Sequence, residues 1–113
     1  MTNACLSLVL RTGVLVARIS PETLQGPACT QFFGELKQVM HDDRVSRLVL
    51  DLGQVAGLMP EAIDLIAEFG GDLHSGGGWM RLANVSTTVR NALTTTNLPY
   101  RFDIRSTLGE AIA

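Results

Sequence analysis

The stretch Leu48-Val49-Leu50-Asp51-Leu52-Gly53-Gln54-Val55-Ala56-Gly57-Leu58-Met59-Pro60-Glu61-Ala62-Ile63-Asp64-Leu65-Ile66-Ala67-Glu68-Phe69 changes its hydrophobic period partway along. Leu48 to Leu52 is apolar almost throughout, the pattern of a central strand covered on both faces. From Pro60 the period becomes helical: Ile63, Ile66, Phe69 and, further on, Leu73 recur as one buried stripe. Proline suits the first helical position because its missing N–H has no intrahelical acceptor to lose, and Glu61 and Asp64 fall where the helix dipole favours negative charge. The segment is therefore strand, loop, helix, the repeating unit of an α/β sheet.

Working outward, Cys5 to Leu10 and Val14 to Ile19 are β-rich runs joined by Arg11-Thr12-Gly13, which predicts an opening hairpin. Pro21 stops the second run. After Gly26-Pro27, Ala28, Phe32, Leu36, Val39 and Met40 recur at helical spacing, ending at His41-Asp42-Asp43. Beyond the central stretch, Gly70-Gly71 weakens the second helix by about 1 kcal/mol per glycine relative to alanine, and Gly76-Gly77-Gly78 ends it. Trp79 to Ala83 predicts a fourth strand, interrupted by Arg81 and so nearer a sheet edge. Ser86 is a good N-cap for a third helix carrying Val89, Ala92 and Leu93, with Asn97 and Pro99 as its stop. Tyr100 to Ile104 predicts a short last strand, and Thr107-Leu108-Gly109-Glu110 has capping-box spacing ahead of a stub helix with Leu108 and Ile112 as its apolar pair. The expected architecture is one α/β domain over residues 1–113. Four to five strands form a mixed sheet with three to four helices packed on it, in the order β-β-α-β-α-β-α-β-(α).

Composition bounds the function. The chain has 113 residues, 46% hydrophobic and 18% charged, enough for a single core without metal or disulfide staples. No apolar run approaches the ~20 residues that span a bilayer, and the N-terminal stretch has no basic leader ahead of its apolar residues, so the expected location is cytoplasmic. A net charge of −2, eight arginines and one lysine spread along the chain, and 5% aromatics argue against nucleic acid as a partner.

Few residues invite chemistry. His41 and His74 have no cysteine beside them, and no zinc-type ligand spacing occurs, so neither a metal nor a cofactor is expected. Cys29 at the start of the first helix would be reactive if the dipole lowered its pKa; the simpler reading is a small residue near a helix end. The triple glycine follows a helix and precedes a strand, the reverse of a phosphate loop. Asp51 is read as a strand-end residue capping the loop. No catalytic constellation emerges, and the chain is not expected to be an enzyme. The loop to Met59 is different, because ligands and partners of α/β sheets bind where such loops leave the C-terminal strand ends. Gly57, Leu58 and Met59 are weakly polar residues on a loop, which points to a surface that something covers. With Pro60, Glu61, Asp64 and Glu68 they form the candidate partner-binding site.

The order of elements resembles the STAS domain, the family of bacterial anti-sigma factor antagonists. The resemblance is carried by VLVARIS, RLVLDLGQV, the GGGWMRLANVS passage and the tail after NLP, over nearly the whole chain. It implies a binding module that docks through the loop and second helix onto a protein partner, either an anti-sigma factor kinase or another STAS protein, and it leaves a homodimer open. It also implies a phosphoacceptor serine at that helix start. Where the family reads Asp-Ser-Ser/Thr-Gly, this chain reads Met59-Pro60-Glu61-Ala62, so Glu61 occupies the phosphoacceptor-equivalent position and offers no hydroxyl. A second reading follows from what STAS domains accompany, an accessory subunit of a membrane transport system; a third is a small-ligand or nucleotide sensor with a pocket near Gly57 to Glu61.

Overall fold

A computed structural model of the chain describes residues 6–11, 13–20, 27–95 and 102–112. Strands β1 (Leu6–Arg11), β2 (Val14–Ile19), β3 (Arg47–Asp51), β4 (Trp79–Ala83) and β5 (Asp103–Arg105) form one sheet in that spatial order. β1 and β2 are an antiparallel hairpin in which Arg11 faces Val14 and Gly13 takes a φ of +79°, open to glycine at little cost. The pairs β2–β3, β3–β4 and β4–β5 are parallel, so each needs a crossover. Helices α1 (Pro27–Asp42), α2 (Pro60–Ser75) and α3 (Thr87–Thr94) supply them. The sheet is mixed, as the opening hairpin predicts. No helix among the described residues is long and apolar enough to cross a membrane.

Strand alternation divides the interior into two layers. Leu15, Ala17, Ile19, Leu48, Leu50, Met80 and Leu82 face Phe32 and Leu36 of α1, Ile63 and Ile66 of α2, and Val89 and Leu93 of α3 in the main core. Val14, Val16, Val49 and Ala83 point to the opposite face, where Ala111 of the short α4 (Leu108–Ile112) covers them. Coverage on both faces explains the continuous apolar run of β3: Leu48, Val49 and Leu50 are all fully buried. Truncating a leucine so enclosed, such as Leu50, ordinarily costs about 2 to 5 kcal/mol.

The punctuation residues act as their chemistry dictates. Ser86 Oγ accepts from the Val89 N–H at 3.2 Å and caps α3. At the end of α2 the Gly78 N–H returns to the Leu73 carbonyl (2.8 Å) through Gly77, whose φ is +89°. Gly78 then passes so close to Ser46 that a Cβ would overlap its carbonyl, so the triple glycine is a helix stop followed by a close approach. In α4 the Thr107 hydroxyl accepts from the Glu110 N–H at 3.2 Å, while the Glu110 carboxylate accepts from the Ser106 N–H at 3.3 Å. The predicted apolar pair Leu108 and Ile112 is half-buried; Ala111 between them is the enclosed residue. Boundaries shift elsewhere: β3 starts one residue earlier than the sequence predicts, at Arg47, and β5 spans Asp103–Arg105 where the sequence predicts Tyr100 to Ile104. The expected roles of Cys5, Thr12, Pro21, Asn97, Pro99 and Tyr100 lie outside the described residues.

Candidate functional site

The loop between β3 and α2 leaves the C-terminal edge of the sheet. Leu52 is fully buried, and the Val55 N–H donates back to its carbonyl at 3.0 Å, which turns the chain and buries Val55. Ala56 and Gly57 are exposed, then Leu58 folds back half-buried against the main core. This corrects the expectation that Gly57, Leu58 and Met59 form one uncovered apolar surface: Leu58 contributes to packing. Met59 does not. It is 59% exposed, the only large hydrophobic side chain so placed among the described residues.

Met59 is also the N-cap of α2, in extended conformation and with no side-chain cap bond; its carbonyl accepts from Ala62 (3.0 Å) and Ile63 (3.2 Å). Pro60 follows at the first helical position, and Glu61 is the acidic residue of the first turn. Ala62, Ile63, Ile66, Ala67 and Gly70 face inward, leaving Glu61, Asp64 and Glu68 exposed on the opposite side. Their spacing puts them in one row. Asp72, also exposed, extends that row by another turn and was absent from the sequence-derived site, although the same period places it there. The outer face of α2 is thus an acidic stripe with an apolar knob at its N-terminal end.

Behind the loop lies a polar group that sequence alone does not place. Asp51, 5% exposed, is the buried charged residue among the described residues. Its Oδ1 accepts from the Gly53 N–H (2.9 Å) and from Asn84 Nδ2 (3.1 Å), and its Oδ2 lies 3.5 Å from Arg18 Nε. The predicted capping role of Asp51 is realised by the Gly53 bond. The tie to Asn84 is additional.

Elsewhere, burial pushes the Cys29 thiol up from its ordinary pKa, away from reactive thiolate character. His41 and His74 are exposed in the last turns of α1 and α2. A cleft of about 180 Å³, lined by Met40, His41, Val45, Phe69, Asp72 and Leu73 among others, opens at the far end of α2 from the loop. None of Gly57 to Glu61 lines it.

No protein-family model matches the sequence, and no curated protein matches it. Solved structures match in fold. The NMR structure of TM1081, a Thermotoga maritima protein, superposes with a TM-score of 0.86 at 19% identity, over 99% of this chain and 89% of that one. RsbS of Moorella thermoacetica carrying a serine-to-glutamate substitution gives 0.80 at 19% identity, over 95% and 91%. The anti-sigma factor antagonist SpoIIAA in its unphosphorylated form gives 0.70 at 18% identity, over 95% and 94%. The sheet order and the placement of the helices are therefore those of the STAS fold.

Proposed function

We propose that this chain, which folds as anti-sigma factor antagonists do, works as a non-catalytic interaction module of bacterial signalling. It docks on a protein partner, an anti-sigma factor kinase or another STAS protein, through Met59 and the outer face of α2. The observation that carries this reading is the exposure of Met59 at the junction of loop and helix. An isolated large apolar side chain beside charged residues is the arrangement of a contact centre with a polar rim. The acidic row formed by Glu61, Asp64 and Glu68 would steer a basic partner surface toward it.

The same reading gives Glu61 a role. It stands exposed in the first turn of α2, where the resemblance puts the phosphoacceptor, and no serine or threonine occurs between Gly53 and His74. A carboxylate there is a permanent negative charge. It carries about one charge where a phosphate carries nearly two and lacks the phosphate's three acceptor oxygens, so the module would rest in one signalling state instead of switching.

Calorimetric titration against the serine-kinase-type anti-sigma factors and STAS proteins of the same organism tests the docking reading. Saturable binding by the native chain that Met59→Asp abolishes, with the circular dichroism of the variant unchanged, is the expected result. Equal affinities for the two forms would remove Met59 and this face from the site.

A further inference from the structure

We infer that Asp51 and Asn84 are positioning residues, whose hydrogen bond fixes the course of the loop from Gly53 to Met59. The inference deepens the docking reading and rests on it for the loop's purpose, though not for the tie itself.

A buried carboxylate is costly unless hydrogen bonds replace the water it loses. Asp51 is supplied by three separate elements: Arg18 from β2, Gly53 from the first turn of the loop, and Asn84 from the end of β4. The Leu52 N–H donates to the Ala83 carbonyl at 3.0 Å, so the two chains run side by side just before they diverge into separate crossovers. Asn84 adopts a φ of +57° there, a conformation that asparagine accepts more readily than most residues. Its amide is thereby turned across to Asp51. Gly53 fits the remaining space closely: a Cβ would lie 3.1 Å from Asp51 Oδ1 and 3.4 Å from Asn84 Cβ. Oδ1 of Asp51 therefore joins the first turn of the loop directly to the neighbouring strand end. Six residues later comes Met59, whose projection depends on where that turn starts.

A carboxylate that merely satisfied Gly53 and Arg18 would be insensitive to the group that faces it from position 84. A positional tie does care that one side donates and the other accepts, and that can be tested by exchanging them. Asp51→Asn removes the buried charge but keeps an amide oxygen that can still accept from Gly53 and Asn84, so it serves as a control, whereas Asn84→Asp sets two carboxylates together. Asn84→Gly keeps the positive φ and deletes the side chain. The double variant Asp51→Asn/Asn84→Asp restores one donor and one acceptor in the reverse sense.

Hydrogen exchange of the whole chain, without a partner, reads the tie at the Gly53 and Val55 amides. Asn84→Gly and Asn84→Asp are each expected to speed exchange there by about tenfold, the scale of one hydrogen bond, and Asp51→Asn to change it less, while the Phe32 and Leu36 amides in α1 hold their rates. The double variant should return both loop amides toward the native rate. Unchanged loop rates, equal acceleration throughout the chain, or no rescue by the double variant would each overturn the inference. Titration of Asn84→Gly against a partner that binds the native chain provides the second arm: weaker binding by about the same factor supports positioning, and native affinity overturns it. A native chain that binds no partner while the exchange pattern holds would overturn the docking reading alone.

Discussion

The Arg81 guanidinium lies 3.9 Å from the centre of the Trp79 ring, on the sheet face opposite α1, α2 and α3. From that position Nη1 donates to the Ala111 carbonyl at 3.0 Å, and Nε stands 3.5 Å from Asp103. One side chain thus joins β4, β5 and the end of α4, and the ring holds it in place. Arg81→Met keeps most of the stem but loses the stack, the carbonyl bond and the charge. A loss of about 1 to 3 kcal/mol is expected, and because Trp79 is the chain's one tryptophan, its emission should move to the red as α4 loosens. Arg81→Lys should recover only part of this, since an ammonium lacks the planar fork. Urea titration followed by fluorescence measures both; no change in either would mean that Ala111 packing alone secures α4.

Two glycines, one inside α2 and one just past its end, should respond in opposite directions. Gly71 lies inside the helix, and an added Cβ would meet nothing within 4 Å, so Gly71→Ala should stabilise by up to about 1 kcal/mol through helix propensity and a less free unfolded chain. Gly78→Ala would drive its methyl group into the Ser46 backbone and should cost more than that gain. Thermal denaturation of the pair decides the matter, and a destabilised Gly71→Ala would contradict the open space beside Gly71.

Asp103 gives stability a modest acid dependence. Its hydrogen bonds from Arg105 (2.7 and 3.2 Å) hold its carboxyl below the usual range; partial burial opposes this, and the charges of Arg105 and Arg81 add to it. A depressed folded pKa means that the contribution is fully present above the unfolded value of about 3.9 and is lost as pH falls through the folded value. With the Asp103 side chain 42% exposed, solvent screening keeps the contribution at about 1 kcal/mol or less. Asp103→Asn should therefore flatten the stability profile below about pH 4 and leave its slope between pH 6 and 8 unaltered, as urea midpoints across pH would show.

Much of this fold is local, and the local parts are legible in the sequence. β3 declares itself because both faces are covered, and α2 because Pro60 and Glu61 suit a first turn. Ser86 and the triple glycine mark ends that hydrogen bonding and close contact then confirm. What the sequence withholds is the path of chains through space. Leu58 and Met59 are neighbours of similar polarity, yet the turn of the loop packs one against the core and leaves the other exposed. Asp51 and Asn84 stand 33 positions apart, and no periodicity links residues that meet only because β3 and β4 pair in parallel. The side on which α4 lies was equally hidden, and with it the reason that Ala111, not Leu108 or Ile112, is the residue enclosed.

Glu61 offers the sharpest test of the proposed signalling state. In the first turn of α2 its carboxylate is favoured by the helix dipole by about 0.3 to 1 kcal/mol, and that alone would account for its presence. If it instead stands as a permanent charge in place of a phosphoacceptor, Glu61→Ser removes the charge and supplies a hydroxyl at one step. Stability should then change by less than about 1 kcal/mol, because the side chain is exposed. Binding to an anti-sigma-type partner should tighten, and a cognate serine kinase should phosphorylate the variant but not the native chain at this position. Phosphorylation of the introduced serine should weaken binding again, since the phosphate restores and exceeds the native charge. Calorimetry on the three forms, native, substituted and phosphorylated, measures the order of affinities directly. Equal affinities for the native and substituted chains would reduce Glu61 to a residue that stabilises the start of its helix.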